Sequence, residues 1–170
     1  MADLAVFVIV IESDAKKVPD FMRLRRDLTR PFDTPRLPPG LEPRALWQVE
    51  PVKLHRLLED AYRTGGGSVA PFEQWFFPLV EDEEFDPALV LTLVDKDSLP
   101  AGLVQCWTSG FIKDLVVRHD LRGRGAGSWL LLSAFQLLRD RGLSCLDLKV
   151  WQSNTAARLL YARHGMVEVL

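Results

Sequence analysis

The stretch Val117-Arg118-His119-Asp120-Leu121-Arg122-Gly123-Arg124-Gly125-Ala126-Gly127 limits what this chain can fold into more than any other. Phe111 to Val117, before it, reads as a strand, and Gly125 to Arg141 reads as a long apolar helix closed by Gly142, the residue that best tolerates a left-handed cap. A strand that runs through glycines into a helix brings free peptide N–H groups, the positive end of a helix dipole and closely approachable backbone to one point. Arg122 and Arg124 add charge beside it. The chemistry suits a diphosphate. The plainer reading is a tight turn with solvated arginines.

The rest of the chain supplies a sheet for this turn to sit on. Cys145 to Trp151 alternates Leu146, Leu148 and Val150 with Asp147 and Lys149, a strand pattern, and the step from Phe111 to Trp151 is expected as a right-handed parallel crossover. Thr155 to His164 reads as a helix ending at Gly165, and Met166 to Leu170 starts a last strand. Upstream, Ala88 to Val94 and Leu103 to Thr108 pair as a hairpin about the Asp95–Ser98 turn. Val52 to Arg63 carries the apolar stripe Leu54, Leu57, Leu58 and Ala61 of a helix. Gly65 to Gly67 reads as a loop, Pro71 to Leu79 as aromatic and partly helical, and Glu81 to Asp86 as an acidic loop.

The N-terminal part reads differently. Leu4 to Ile11 is a Val/Ile-rich strand, and Phe21, Leu24 and Leu28 recur at helical spacing, which gives a helix from about Pro19 to Arg30. Five of the eleven prolines then fall between Pro31 and Pro43, a density expected to exclude regular structure. This divides the chain into residues 1–43, an appendage of strand, helix and Pro-rich connector, and residues 44–170, the main domain. The class is α+β (α/β), a sheet flanked by helices.

Composition narrows the function. A chain of 170 residues that is 48% hydrophobic and 26% charged, with 21 − 23 = −2 net charges, asks for neither a nucleic-acid backbone nor a membrane as partner. Cys106 and Cys145 make no disulfide framework, and with His55, His119 and His164 no metal-spaced cluster. The longest apolar run, Leu4 to Ile11, is too short to span a bilayer, and with Asp3 and no basic leader it is a poor signal peptide. The expectation is a reduced, cytoplasmic enzyme or binding domain.

Two phosphate motifs fail. A P-loop needs Gly-Lys-Ser/Thr, and no lysine follows Gly125, Gly127 or the Gly65–Gly67 run. A dinucleotide fingerprint wants an acidic residue at the tip of the next strand, but Asp147 lies inside one. Arg122-Gly123-Arg124-Gly125-Ala126-Gly127, preceded by Leu115-Val116-Val117, resembles instead the Gln/Arg-x-x-Gly-x-Gly/Ala signature of the GNAT superfamily of acetyl-CoA-dependent N-acetyltransferases. A second signature of that family resembles Asn154 through Ala157 and Tyr161 to Gly165-Met166, with Met166 where Phe is common. The resemblance covers residues 88–168.

It implies the GNAT fold, a mixed central sheet splayed between the fourth and fifth core strands, here Phe111–Val117 and Cys145–Trp151. It implies acetyl-CoA as acyl donor, its pyrophosphate on the amides of Arg122, Gly123, Arg124, Gly125, Ala126, Gly127 and Ser128, and its pantetheine against Leu115 and Val117. An amide near Val116 or Val117 would polarise the thioester. Asn154, Ala157 and Tyr161 would complete the cofactor site, with Tyr161 as the acid for the leaving thiolate. Asn154 also suits a helix N-cap and Tyr161 a core position. Where some members carry a basic glutamate early in the strand stands Phe111, Asp114 faces away from Leu115 and Val117, and Glu73, Asp82, Glu83 and Glu84 read as solvated loop. No base is assigned.

Three further features stay open at this level. Arg23, Arg25, Arg26 and Arg30 read as a basic helix face, solvated or at a subunit contact. Trp47, Trp75, Phe76, Phe77 and Trp107 read as core or as an acceptor pocket. Family members close with two strands after the Gly-apolar pair, and this chain leaves room for one. Leu4–Ile11 is the surplus strand expected to fill the gap, from its own chain or from a partner in a swapped homodimer. The resulting expectation is an N-acetyltransferase acting on a small-molecule or peptide amine. The rival readings are a non-catalytic acyl-CoA-binding module and a dinucleotide-binding fragment.

Overall fold

The computed structural model describes residues 20–64 and 68–170. In chain order the elements are strands β1 (Phe21–Asp27) and β2 (Leu41–Ala45), helices α1 (Pro51–Thr64) and α2 (Phe72–Glu81), strands β3 (Val90–Asp95), β4 (Pro100–Cys106) and β5 (Ile112–Val117), helix α3 (Ala126–Asp140), strand β6 (Cys145–Trp151), helix α4 (Thr155–Arg163) and strand β7 (Val167–Val169). They form two antiparallel sheets, β2-β3-β4-β5 and β6-β1-β7. From β3 onward the elements follow the sequence reading.

Strand alternation sorts the side chains into two cores. Leu93, Val104, Leu115, Leu146, Leu148 and Val150 pack with Leu130, Leu131 and Phe135 of α3 and Tyr161 of α4. On the opposite face Val90, Val94, Leu103 and Val116 pack with Leu54, Leu57, Leu58 and Ala61 of α1. The two sheets touch through one parallel bridge, Phe111 to Asp147, with the Asp147 N–H donating to Gly110 O at 2.9 Å. The parallel β5–α3–β6 step is therefore present, but its strands pair only at their N-terminal ends and splay beyond.

Within the helix expected from about Pro19 to Arg30, Phe21–Asp27 forms strand β1 instead. Leu24 and Leu28 are four apart, a spacing that fits both a helical stripe and one face of a strand. The tertiary setting decides: β1 lies between β6 and β7 and pairs with both, Phe21 opposite Trp151, Asp27 opposite Cys145, Arg25 opposite Val167. Alternation buries Leu24 and turns Arg23 and Arg25 to the other face. Arg26, on the Leu24 face, donates to Pro31 O at 2.6 Å and to Gly165 O at 3.3 Å. Phe21–Asp27 thus stands between β6 and β7 within one chain. The Leu4–Ile11 strand lies outside the described residues.

The connector, expected to hold no regular element, ends in one. Pro43 sits in β2 opposite Leu93, and β2 is an edge strand, where a proline's missing donor is tolerated. Among the described residues no helix is long and apolar enough to cross a membrane.

Gly110 fixes the joint between the sheets. Its φ is +88°, and a Cβ there would stand 2.6 Å from Leu143 Cδ2 and 3.0 Å from Cys145 O. Gly110→Ala is expected to cost about 2 kcal/mol, a fall of roughly 4–8 °C in Tm by circular dichroism.

Candidate functional site

At the C-terminal end of β5 the chain passes through a short 3-10 turn, His119–Leu121, and then turns at Gly123 (φ +72°) and Gly125 (φ +92°) into α3. Gly125 is the N-cap and has no side chain to offer, and no acidic residue stands in the first turn. The first N–H that bonds back is that of Trp129, to Gly125 O at 3.0 Å. The amides of Ala126, Gly127 and Ser128 thus face outward at the positive end of a fifteen-residue helix. Arg122 Nε donates to Val117 O at 3.0 Å and braces the turn, while Arg124 is exposed beside it. A Cβ on Gly127 would lie 3.2 Å from Leu160 Cδ2 and 3.8 Å from Val117 Cγ2, so the first turn of α3 approaches both α4 and β5 closely. Ser128 Oγ and His164 Nε2 share a hydrogen bond of 2.9 Å, and burial holds the His164 imidazole below its ordinary pKa, hence neutral near pH 7.

The splay beside this turn exposes strand backbone. The Arg118 N–H donates to Ala101 O at 2.9 Å. Antiparallel alternation then commits the amides of Val116 and Asp114 to β4 and turns those of Leu115 and Val117 toward β6. Tyr161 of α4 is fully buried in the core that Leu115, Leu148 and Val150 also line, with an Oη that has no hydrogen-bond partner. Burial pushes its phenol pKa well above 10, so it keeps its proton. Asn154 caps α4, its Oδ1 accepting from the Ala157 N–H at 3.1 Å. The N-cap reading of Asn154 therefore holds.

On the α1 side, Asp114 is buried and accepts from Tyr62 Oη at 2.5 Å and Lys113 Nζ at 2.7 Å. Its direction away from the α3 core agrees with the sequence reading. Tyr62 was not legible as its partner, because 52 residues separate the two. Close by, Gln105, opposite Asp114 on β4, is buried with an unpartnered Nε2.

At the joined end of the sheets opens a cleft of about 330 Å³, lined by Arg23, Arg25, Glu84, Trp107, Phe111 and Asp147 among others. Trp107 lines it; Trp47 lies exposed outside it, and Trp75, Phe76 and Phe77 pack against one another along α2. Of the acidic candidates Glu84 reaches the rim, where it accepts from Ser109 Oγ. Cys106 is fully buried and its thiol is pushed up to about 12, an inert core residue.

Asp147 is the centre of the cleft's charge. Arg25 donates to Oδ1 through Nε at 2.7 Å and to Oδ2 through Nη2 at 2.8 Å, and Arg23 donates to Oδ2 through Nε at 2.9 Å. These bonds, that from Arg25 foremost, hold its carboxyl below the usual carboxylate range. Its contribution to stability is then complete above the unfolded pKa near 4 and is lost as pH falls through the lowered folded value. Asp147→Asn is expected to flatten the acid limb of a Tm-against-pH curve between about pH 4 and pH 2 relative to the parent.

Known proteins resemble this arrangement. The sequence model of the acetyltransferase (GNAT) family matches residues 52–166. A mycothiol acetyltransferase of Clavibacter michiganensis is 39% identical over 87 residues, 49% of this chain and 28% of its own length. One from Beutenbergia cavernae is 37% identical over 91 residues, 50% of this chain and 30% of its own. A GCN5-related N-acetyltransferase from Sphaerobacter thermophilus superposes with TM-score 0.75 at 28% identity, covering 88% of this chain and 48% of that one. The chain thus spans under a third of these curated relatives and about half of the Sphaerobacter protein.

Proposed function

This chain belongs to the GNAT acetyltransferase family, and we propose that it moves an acetyl group from acetyl-CoA to a primary amine by direct attack. The observation that carries this reading is the uncapped start of α3 at the mouth of the β5–β6 splay. Acetyl-CoA, when bound, supplies an activated thioester carbonyl. The residues present fit it: outward amides for the diphosphate at Ala126, Gly127 and Ser128, outward strand amides at Leu115 and Val117, and the orphaned Oη of Tyr161.

Each of these groups has one task. The α3 amides hold the charged tail. Of the two strand amides, one takes the thioester oxygen and stabilises the charge that builds there, and the other holds the pantetheine. The Val116 amide, turned to β4, has neither role. As the new C–N bond forms and the C–S bond breaks, Tyr161 gives its proton to the departing sulfur. Its buried phenol does so as a neutral acid. The attacking amine, neutral when it attacks, loses one proton to water in the cleft as it becomes the amide, and a proton returned from that water restores the Tyr161 phenol.

A second reading keeps the fold and the donor without turnover, and Phe111 favours it. The cleft's carboxylates beside Phe111 are Asp147, clamped by two arginines, and Glu84, held by Ser109, so neither is a free base. Thiol release from acetyl-CoA across small amines, peptides and aminoglycosides separates the two. The names of the mycothiol acetyltransferase relatives put small molecules first in that panel. Transfer well above hydrolysis supports the enzyme. Binding of acetyl-CoA with no transfer to any acceptor supports the module.

A further inference from the structure

The arginines of β1 leave one face of the sheet with more cations than carboxylates. In the β1–β6 register Arg23 is opposite Lys149 and Arg25 opposite Asp147, on the face away from the α3 core. Like charges directly across a ladder are destabilising. That row carries three cations, Arg23, Arg25 and Lys149, against one carboxylate, Asp147. Lys149 Nζ lies 4.8 Å from the centre of the Phe21 ring. Glu84 brings a second carboxylate to the rim, already engaged by Ser109. Both guanidiniums spend their Nε and Nη2 on Asp147 and keep Nη1 donors for another acceptor. Both side chains are also nearly half exposed to the cleft, 46% and 43%.

We propose that Arg23 and Arg25, with Lys149 beside them, form the subsite that anchors an oxyanion on the acceptor. The amine acetylated then belongs to a molecule that also carries a carboxylate or a phosphate. Guanidinium donors suit both groups, as paired N–H bonds to two oxygens. The geometry also sets a length. Asp147 is level with Phe111, and the outward amide of Leu115 lies four residues further along β5, about 13 Å of strand. The reach of the arginine side chains shortens that gap, so the amine and the oxyanion are separated by several bonds rather than shared by one α-carbon.

This rests on the acetyl-transfer reading for the word acceptor, and its test is made by binding so that the two fail separately. Calorimetry compares three N-acetylated chains of equal length, ending in a carboxylate, a phosphate and a neutral primary amide, on the protein holding coenzyme A. The carboxylate or the phosphate is expected to bind at least about 30-fold tighter than the amide, and the stronger of the two identifies the group. In Arg23→Gln that preference is expected to fall to within threefold. Arg25→Gln combined with Asp147→Asn, which strands no buried charge, is expected to do the same, with melting curves reporting the fold. Equal binding of all three by the parent, or an undiminished preference in both folded variants, overturns the subsite. Anion-selective binding without any amine turnover keeps the subsite and removes the transferase reading.

Discussion

Gly127→Asp is expected to yield a folded protein that has lost coenzyme A binding. Gly127 is the second residue of α3, with ordinary helical backbone, so a side chain brings no conformational strain. Its Cβ meets the tip of Leu160 at 3.2 Å, a flexible neighbour that yields by a few tenths of an ångström. A carboxylate in a first helical turn stabilises the helix by about 0.3–1 kcal/mol, which offsets that crowding. The same carboxylate occupies the amides and repels the diphosphate they would hold. A loss of at least ~100-fold in affinity, about 2.7 kcal/mol, is expected in Kd by calorimetry and in KM for acetyl-CoA, with Tm within about 3 °C of the parent. Gly125→Asp is the less clean partner, because at φ +92° any side chain is strained by about 1–2 kcal/mol, and lost stability then accompanies lost binding.

Tyr161→Phe is expected to split rate from binding. Deleting a buried hydroxyl that has no partner removes a desolvation cost, so Tm holds or rises by a few degrees. Deleting the proposed acid for the departing thiolate is expected to lower kcat by about 100-fold, with KM for acetyl-CoA within about twofold of the parent. A core tyrosine without a chemical role gives the opposite result, an unchanged kcat. The pH behaviour follows from the same burial. Because the folded pKa is raised, the native state keeps a proton that the unfolded state releases near pH 10, so stability falls as pH rises past that point. The phenylalanine variant lacks this alkaline loss. Melting curves between pH 9 and 11 separate the two proteins.

The turn and helices of the proposed donor site were readable because their parts lie close in sequence. The turn, its glycines and the start of α3 occupy eleven consecutive residues, Val117 to Gly127, and the spacing from Asn154 to Tyr161 is set by one helix. Hydrophobic period and helix-stop glycines sufficed there. The acceptor side was not readable, since Arg25 meets Asp147 across 122 residues and Tyr62 meets Asp114 across 52. β1 misled for a related reason. Leu24 and Leu28 satisfy a helix and a strand equally, and only the open edges of β6 and β7 choose between them. Once β1 is a strand, the supposed basic helix face divides, Arg26 to the core side and Arg23 and Arg25 to the cleft. The cleft-facing position of those two residues appears only at that point. Pro43 teaches the same lesson on the other sheet, where position at an edge outweighs proline's poor standing as a strand residue.

The central claim is that the first-turn amides of α3 grip the diphosphate of the acyl donor. Amide nitrogen–proton NMR during titration with coenzyme A, and in parallel with pantetheine, which lacks the diphosphate, tests it residue by residue. The account predicts large shifts at Ala126, Gly127 and Ser128 with coenzyme A, absent with pantetheine, while Leu115 and Val117 respond to both. Saturation by coenzyme A with the resonances of residues 126–128 unmoved would contradict it.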